Sequence, residues 1–295
     1  MKRAVLALYR VRIPLYYLAA VILIGNVLLG RVLSTGGVRE VRLVVVFAAL
    51  GVAALCLAIA FLAPRLLPEH PVRVVASPVR GRWVGVNSPA SQVPSHGVRA
   101  YGQAYAIDVV ADPVKASRPE FGGGMMRPVD EYPAFGMPVF AMLDGEVVRA
   151  SGWRRDHRAR SNTWGIFYMM VEGMIREIGG PGFVVGNHVT IRSDEGIYAT
   201  VAHLRQGSST VKAGDRVSAG SIIGECGNSG NTSEPHVHAQ LMDRVSFWTA
   251  QGLPMAFAGI TLGDEDESAD ALPANDQHMT AVEGRSRESV RSTEE

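Results

Sequence analysis

The residues best suited to chemistry are two histidines separated by a single residue, His236 and His238. They lie in a segment whose alternating apolar and polar residues predict a β-strand. Residues i and i+2 of a strand point to the same face, so both imidazoles are directed toward one point. Imidazole is the commonest metal ligand, and a catalytic zinc takes three protein ligands and keeps one open position. The pair therefore indicates a zinc site, although two surface histidines on an edge strand would give the same pattern.

Several motifs precede this pair along the chain. In order, they read G-M-P-V-F-A at residues 136–141, D-G-E-V-V at 144–148, Y-A-T-V-A-H-L at 198–204, V-K-A-G-D-R-V-S-A-G at 211–220 and G-N-S-G-N-T-S-E-P at 227–235. With the H-x-H pair, and over about residues 96–243, the sequence resembles the LytM-like, M23-type family of zinc endopeptidases. The resemblance implies a peptidase with one zinc ion per domain, acting on peptide in peptidoglycan.

The resemblance also implies roles for individual residues. The second histidine of the H-x-H pair binds zinc in the family, as does an aspartate that follows an apolar stretch, which implies that His238 and Asp108 are ligands. The first histidine of the pair and the histidine of the A-H-L segment form the catalytic pair, which implies His236 and His203. One of them would take a proton from water and the other would stabilise the oxyanion. Which of the two is the base stays open.

The third ligand departs from the family pattern. The usual spacing is H-x-x-x-D, but Ala104 lies four residues before Asp108. The nearest upstream histidine is His96, twelve residues before the aspartate, and a loop of residues 97–103 would have to bring the two together. We expect His96 to be the third ligand. The alternative is a domain with two ligands, which would hold zinc poorly and lack activity.

Short β-type runs broken by Gly, Asn and Asp predict a mostly β fold with an antiparallel sheet from about Trp83 to Phe257. The predicted organisation is a membrane anchor (1–64), a proline-containing linker (65–90), the M23-like domain (91–262) and an acidic disordered tail (263–295). Within the domain, residues 151–185 form an insertion that is long for a hairpin connection. Whether this insertion is a lid over the site is left open.

The anchor contains two segments without charged residues, Ile13 to Gly30 and Leu43 to Pro64, with 18 and 22 residues. Each is long enough to cross a bilayer as a helix, so residues 13–64 predict contact with membrane lipid and a multi-pass membrane protein. A signal peptide is the alternative for the first segment, and a buried core helix is the alternative for the second.

The net charge of +1 conceals an asymmetry between the ends of the chain. Residues 1–82 hold eleven Lys/Arg and two acidic residues, whereas residues 264–295 hold three Arg and ten acidic residues. The body lacks a basic patch of the kind that nucleic-acid binding needs, so no nucleic-acid partner is expected. The two cysteines are far apart in sequence and lack the paired short spacing of a cysteine zinc site.

Three functional classes fit these observations. The first is a membrane-anchored zinc endopeptidase whose domain is extracytoplasmic. The second is a non-catalytic LytM-like module that binds the wall or a protein partner and regulates another hydrolase. The third is a cytoplasmic zinc protein, because the Lys/Arg count around the two segments favours a C-terminal domain on the inner side. The four histidine and aspartate positions that match the family favour the first class.

Overall fold

The computed structural model describes residues 2–30, 37–263, 265 and 267–282. The chain divides into two compact units, Met1–His70 and Pro71–Glu295.

The first unit is a pair of long apolar helices, α1 (Lys2–Leu29) and α2 (Gly37–Leu62), followed by a 3-10 turn at Ala63–Leu66. Both helices are long and apolar enough to cross a membrane. Tyr9 near the start of α1 packs against Ile59 near the end of α2, so the helices run antiparallel. Most of their apolar side chains are exposed, including Val27 and Phe61, which argues against a buried core helix.

The second unit is a β domain, which confirms the predicted mostly β fold class. Its strands are β1 (Arg73–Val75), β2 (Gly81–Val86), β3 (Ile107–Ala111), β4 (Met126–Arg127), β5 (Pro138–Phe140), β6 (Gly145–Ser151), β7 (Ala159–Arg160), β8 (His188–Arg192), β9 (Tyr198–Ala202), β10 (Arg216–Val217), β11 (Ile222–Glu225), β12 (Val237–Met242), β13 (Gly252–Leu253), β14 (Met255–Leu262), β15 (Ser268–Ala271) and β16 (His278–Ala281). Two helices, α3 (Thr163–Ile178) and α4 (Pro181–Val185), lie between β7 and β8.

One large sheet dominates the unit, in the order β1-β14-β16-β2-β3-β12-β9-β8-β6-β10, with β13 beside β12 and β15 beside β14. Among its described pairs, β1 and β14 are parallel and the others are antiparallel. Two short sheets, β5 with β11 and β4 with β7, complete the unit. The apolar core packs against the large sheet and includes Trp83, Ile107, Val201 and Phe257.

The sheet includes segments that the sequence analysis assigns to the linker and to the tail. Strands β1 and β2 lie within 65–90, and the side chain of Trp83 on β2 is fully buried. Strands β15 and β16 lie beyond residue 262, and Met279 on β16 is fully buried. The corrected domain therefore begins near Arg73 and includes Ala281. Composition misled the assignment because a segment with only a few apolar residues can still form a strand of the sheet when neighbouring strands bury those residues. Residues 283–295 of the predicted tail lie outside the described residues.

The insertion 151–185 contains β7 and both helices of the unit. Helix α3 begins after Asn162, whose side chain accepts a hydrogen bond from the backbone N–H of Gly165 at 2.9 Å, as an N-cap residue does. Gly173 of α3 lies close to Asn231, where an added Cβ would be 3.1 Å from the amide atoms. The insertion therefore packs against the 228–235 loop, which leads directly to His236.

Candidate active site

Three adjacent strands bring the predicted site residues together. In the ladder of β12 with β3, His238 lies directly opposite Asp108, and in the ladder of β12 with β9 it lies opposite Ala202. Directly opposed residues share a face of the sheet. His203 follows Ala202 at the end of β9, and His236 precedes β12. The register of two ladders thus collects four of the five residues at one place.

The fifth residue, His96, comes from the loop between β2 and β3. Its Nε2 lies 3.0 Å from Oδ2 of Asp108, so the loop makes the approach that the sequence analysis required. Nδ1 of His238 lies 2.8 Å from the other carboxylate oxygen, Oδ1. The ligand atoms of His96, Asp108 and His238 all lie within 4.8 Å of one another, a grouping able to hold a metal ion.

All of these side chains except His96 are buried, and β12 is an interior strand of the sheet. The alternative of two surface histidines on an edge strand is therefore wrong. His203 and His236 lie beside the three-residue cluster with their ring centroids 4.7 Å apart. Nε2 of His236 is 3.5 Å from Oδ1 of Asp108.

The orientation of the His238 ring follows from Gln240. The side-chain amide N–H of Gln240 donates to the carbonyl of Tyr101 at 3.0 Å, so its Oε1 faces Nε2 of His238 at 2.8 Å. A carbonyl oxygen only accepts, so Nε2 of His238 carries the proton and donates. In the neutral form of the ring, Nδ1 is then the atom that can give its lone pair to a cation beside Asp108. The histidine is held in the tautomer that a metal ligand needs.

His96 is oriented in a similar way by its neighbour Ser95. The Ser95 hydroxyl lies 3.3 Å from the carbonyl of Gln103, to which it donates, and 3.0 Å from Nδ1 of His96. When the hydroxyl oxygen accepts from Nδ1–H, Nε2 of the neutral ring is the atom able to give a lone pair to a cation. Two ring nitrogens and a carboxylate therefore converge, and a bound cation would replace the protons of the hydrogen bonds between them. Such a donor set calls for a cation, and two imidazoles with one carboxylate suit zinc.

The carboxylate itself is ionised. Burial disfavours the charged form, but the adjacent imidazoles of His96, His236 and His238 outweigh burial and hold the pKa of Asp108 well below its usual range. The side chain of Asn87 adds a hydrogen bond to Oδ2 at 2.9 Å. Asn87 adopts a φ of 48°, in the left-handed region that asparagine tolerates better than most residues.

The second pair is held by backbone carbonyls. Nδ1 of His203 donates to the carbonyl of Ser229 at 2.7 Å, and Nδ1 of His236 donates to the carbonyl of Glu234 at 2.8 Å. In the neutral form of each ring, Nε2 is then the atom able to accept a proton. Burial lowers the pKa of His203 well below its usual value. Burial also disfavours a charged His236, but the carboxylate of Asp108 raises its pKa above the usual value.

The backbone of His203 has an unusual conformation that is fixed by hydrogen bonds. Its φ is 62°, an uncommon conformation for a residue other than glycine, and its carbonyl accepts from the N–H of Gly227 at 3.0 Å. Backbone held in this region is usually over-determined by its surroundings. Here the hydrogen bonds to the 227–230 segment fix the ring of His203 beside that of His238, with centroids 5.7 Å apart.

Sequence reasoning did not find Gln240, Ser95 or Asn87. For Gln240 a signal was present, because position i+2 from His238 on the same strand shares its face. For Ser95 the adjacency to His96 was the only hint. Asn87 follows strand β2, which the sequence analysis assigned to a linker, so nothing connected it with Asp108.

The comparisons with known proteins overlap part of this site. The model of peptidase family M23 matches residues 127–249. This segment contains His203, His236 and His238, whereas His96 and Asp108 lie before it. The chain is 32% identical over 136 residues to the glycyl-glycine endopeptidase ALE-1 of Staphylococcus capitis and to lysostaphin of Staphylococcus simulans. The aligned segment is 46% of this chain, 29% of ALE-1 and 22% of lysostaphin.

The chain therefore spans less than a third of the length of these relatives. Among solved structures, it is similar to the catalytic domain of the antimicrobial peptidase lysostaphin from Staphylococcus simulans, with a TM-score of 0.30, 24% identity and coverage of 50% of this chain and 74% of the other. Over residues 127–249, this protein is similar to peptidase family M23.

Proposed function

We propose that this protein is a membrane-anchored zinc endopeptidase that hydrolyses peptide bonds in the stem peptides or crossbridges of peptidoglycan. The observation that carries the proposal is the convergence of His96, Asp108 and His238 beside a second pair of histidines. The family match and the endopeptidase names of the relatives support the reaction class. The substrate is proposed from the same relatives and from the predicted anchor.

His96 Nε2, a carboxylate oxygen of Asp108 and His238 Nδ1 would hold the zinc ion. Bound there, zinc supplies Lewis-acid polarisation of a peptide carbonyl and activation of water as a nucleophile. Gln240 and Ser95 keep the two ligand rings in the required tautomers.

His203 and His236 would handle protons and charge next to that centre. Each has Nδ1–H committed to a backbone carbonyl, so each can accept a proton at Nε2 and return it. The first acceptor would take the proton of the attacking water. The other, when protonated, would donate a hydrogen bond to the oxyanion of the tetrahedral intermediate. The burial of both rings excludes bulk water and strengthens these interactions.

The test uses the full-length protein purified in detergent. We expect near-stoichiometric zinc and release of peptide from purified peptidoglycan. His96→Ala should lose both, whereas His70→Ala, a control at an exposed histidine of the first unit, should retain both. Wild-type protein without zinc and without hydrolysis would contradict the proposal.

A second candidate is a non-catalytic module that binds the wall or a partner protein and regulates another hydrolase. The observation that favours it is the unusual origin of His96, which comes from a separate loop and not from the position four residues before Asp108. Zinc binding with no hydrolysis of any peptidoglycan, together with retention on the insoluble wall, would favour this candidate.

Orientation in the membrane is part of the proposal. A wall substrate requires the M23 domain on the outer side, whereas the distribution of Lys and Arg favours the inner side. Protease treatment of spheroplasts separates these outcomes. Cleavage of the domain in intact spheroplasts supports the wall substrate, and full protection until lysis would exclude it.

A further inference from the structure

Helix α3 of the insertion has an inverted arrangement of side chains. A surface helix normally turns its apolar stripe toward the core. Here the buried positions are the glycines Gly165 and Gly173. An added Cβ would be 2.6 Å from the carbonyl of Met125 at the first and 3.1 Å from Asn231 at the second. The helix therefore docks through its smallest residues.

Its largest apolar side chains point to solvent instead. Six of them have exposed fractions between 59% and 82%: Trp164, Phe167, Met170, Met174, Ile175 and Ile178. At 100° per residue they fall within an arc of roughly 140° on one side of the helix. A contiguous exposed face of this kind marks an interaction surface for a protein or a membrane.

The charges beside this face favour a membrane. A cavity of about 460 Å³ lies along the flank of α3 that carries Tyr168, Glu172 and Arg176. Its walls hold five arginines, which are Arg154, Arg155, Arg158, Arg160 and Arg176, against two carboxylates. Glu172 is already shared by Arg160 and Arg176, each at 2.8 Å. An apolar face with aromatic residues and a basic flank is the pattern of a helix that lies in the lipid headgroup region.

The covalent connection between the two units is short. The second apolar helix with its 3-10 turn ends at Leu66, and the first strand of the β domain begins at Arg73. The seven residue steps between them span at most about 25 Å, which limits the distance that the chain can reach from an inserted anchor.

We infer that the apolar face of α3 binds the surface of a lipid bilayer that contains anionic lipid, as a second, monotopic membrane contact. This inference rests on the proposed membrane anchoring. The inference also places the 228–235 loop, against which Gly173 packs, close to the lipid headgroups. The candidate active site would then act on peptide close to the membrane.

The test measures lipid contact at α3 in the reconstituted full-length protein. Both native cysteines are buried, so a cysteine introduced at Met174 is the accessible thiol for a fluorescent label in a Cys56→Ala background. Val114→Cys is the matched control, because Val114 is an 88% exposed apolar residue of the same unit outside α3. The vesicles are phosphatidylcholine with or without phosphatidylglycerol and carry a spin-labelled lipid quencher near the headgroup.

We expect quenching at position 174 to exceed quenching at position 114 severalfold, and to increase with phosphatidylglycerol. Ile175→Glu should abolish the excess, whereas Val114→Glu should leave it unchanged. Equal access of aqueous iodide to both positions, without lipid quenching, would overturn the inference. A second result would also overturn the inference. If position 174 in detergent becomes better shielded from iodide as the protein concentration rises, the apolar face binds a second copy of the chain.

The outcome separates this inference from the proposed function. Protein that fails to float with the vesicles contradicts the anchoring and the inference together. Protein that floats but shows no excess quenching at position 174 contradicts the inference alone. Zinc content and peptide release are measured separately and do not depend on the label.

Discussion

Two groups of histidines lie side by side in the candidate active site, and they differ in their partners. His96 and His238 share the carboxylate of Asp108, and their remote ring nitrogens are held by Ser95 and Gln240. His203 and His236 use their Nδ1 atoms on backbone carbonyls. In the proposed function the first group gives lone pairs to a cation, and the second moves protons. The same residue type would thus serve two purposes because different neighbours fix different ring atoms.

The largest effect expected is the loss of the shared carboxylate. Asp108→Ala should abolish zinc binding and reduce hydrolysis to background, because both ligand rings lose their common partner. Elemental analysis of the full-length protein and peptide release measure the two losses. Asp112→Ala is the matched control, since Asp112 pairs at 2.7 Å with His278, outside the cluster. Zinc retained in Asp108→Ala would place the metal elsewhere.

The second group should affect catalysis without affecting the metal. His203→Ala and His236→Ala should keep zinc while lowering kcat by about 10² to 10⁴-fold, the usual contribution of acid–base catalysis. Zinc content and steady-state kinetics on the same preparations measure the split. Loss of zinc in His203→Ala would erase the distinction between the two groups.

Substitution of Gln240, which sets the tautomer of His238, should have an intermediate effect on zinc affinity. Gln240→Leu removes the acceptor for Nε2–H and should weaken zinc binding by about 10 to 100-fold, as other residues behind metal ligands do. Competition with a chelator measures the affinity. Gln240→Glu keeps an acceptor oxygen and should recover most of it, and kcat at saturating zinc should change little. Equal zinc affinity in Gln240→Leu and the wild type would contradict this role.

A further buried histidine, His188, sharpens the comparison, because its ring has a carbonyl partner but no proposed chemistry. Nδ1 of His188 donates to the carbonyl of Gly186 at 2.9 Å, and burial lowers its pKa to about 4. The unfolded chain binds this proton near pH 6.5 and the folded chain near pH 4, so stability falls as pH decreases between these values.

We expect a loss of about 1 kcal/mol at pH 5.5 relative to neutral pH. Denaturant unfolding of the wild type and of His188→Asn at both pH values measures it. The pH-dependent part should be smaller in the variant. An identical pH dependence in both proteins would mean that the pKa of His188 is the same in the folded and unfolded chains, which would contradict the prediction.

The sequence predicted the proposed site residues better than the residues that support them. The resemblance to the M23-type family implied His203, Asp108, His236 and His238, and the register of the strands brings these residues together. His96 was proposed without a local pattern, and only the path of the 87–103 loop brings it to Asp108. Gln240, Ser95 and Asn87 act through hydrogen bonds that depend on ring orientation, which spacing alone does not determine.

The limits of the domain were harder to predict than its site. Strand β2 follows proline-containing sequence and β16 lies in an acidic region, so composition suggested a linker and a tail. Their place in the sheet depends on pairing with each other, at a sequence separation that no local window detects. The mostly β fold class followed from the short alternating runs, whereas the parallel pairing of β1 with β14 did not.

The pairing of β2 with β16 has a consequence for how the protein is made. Val84 lies opposite His278, so about two hundred residues must be synthesised after β2 before its partner exists. Contacts of such long range slow folding, and strand edges left unpaired in the meantime promote aggregation. Because β2 also pairs with the strand that carries Asp108, this proposed ligand would gain its final support late. During synthesis, one edge of β2 would therefore stay unpaired until β16 emerges.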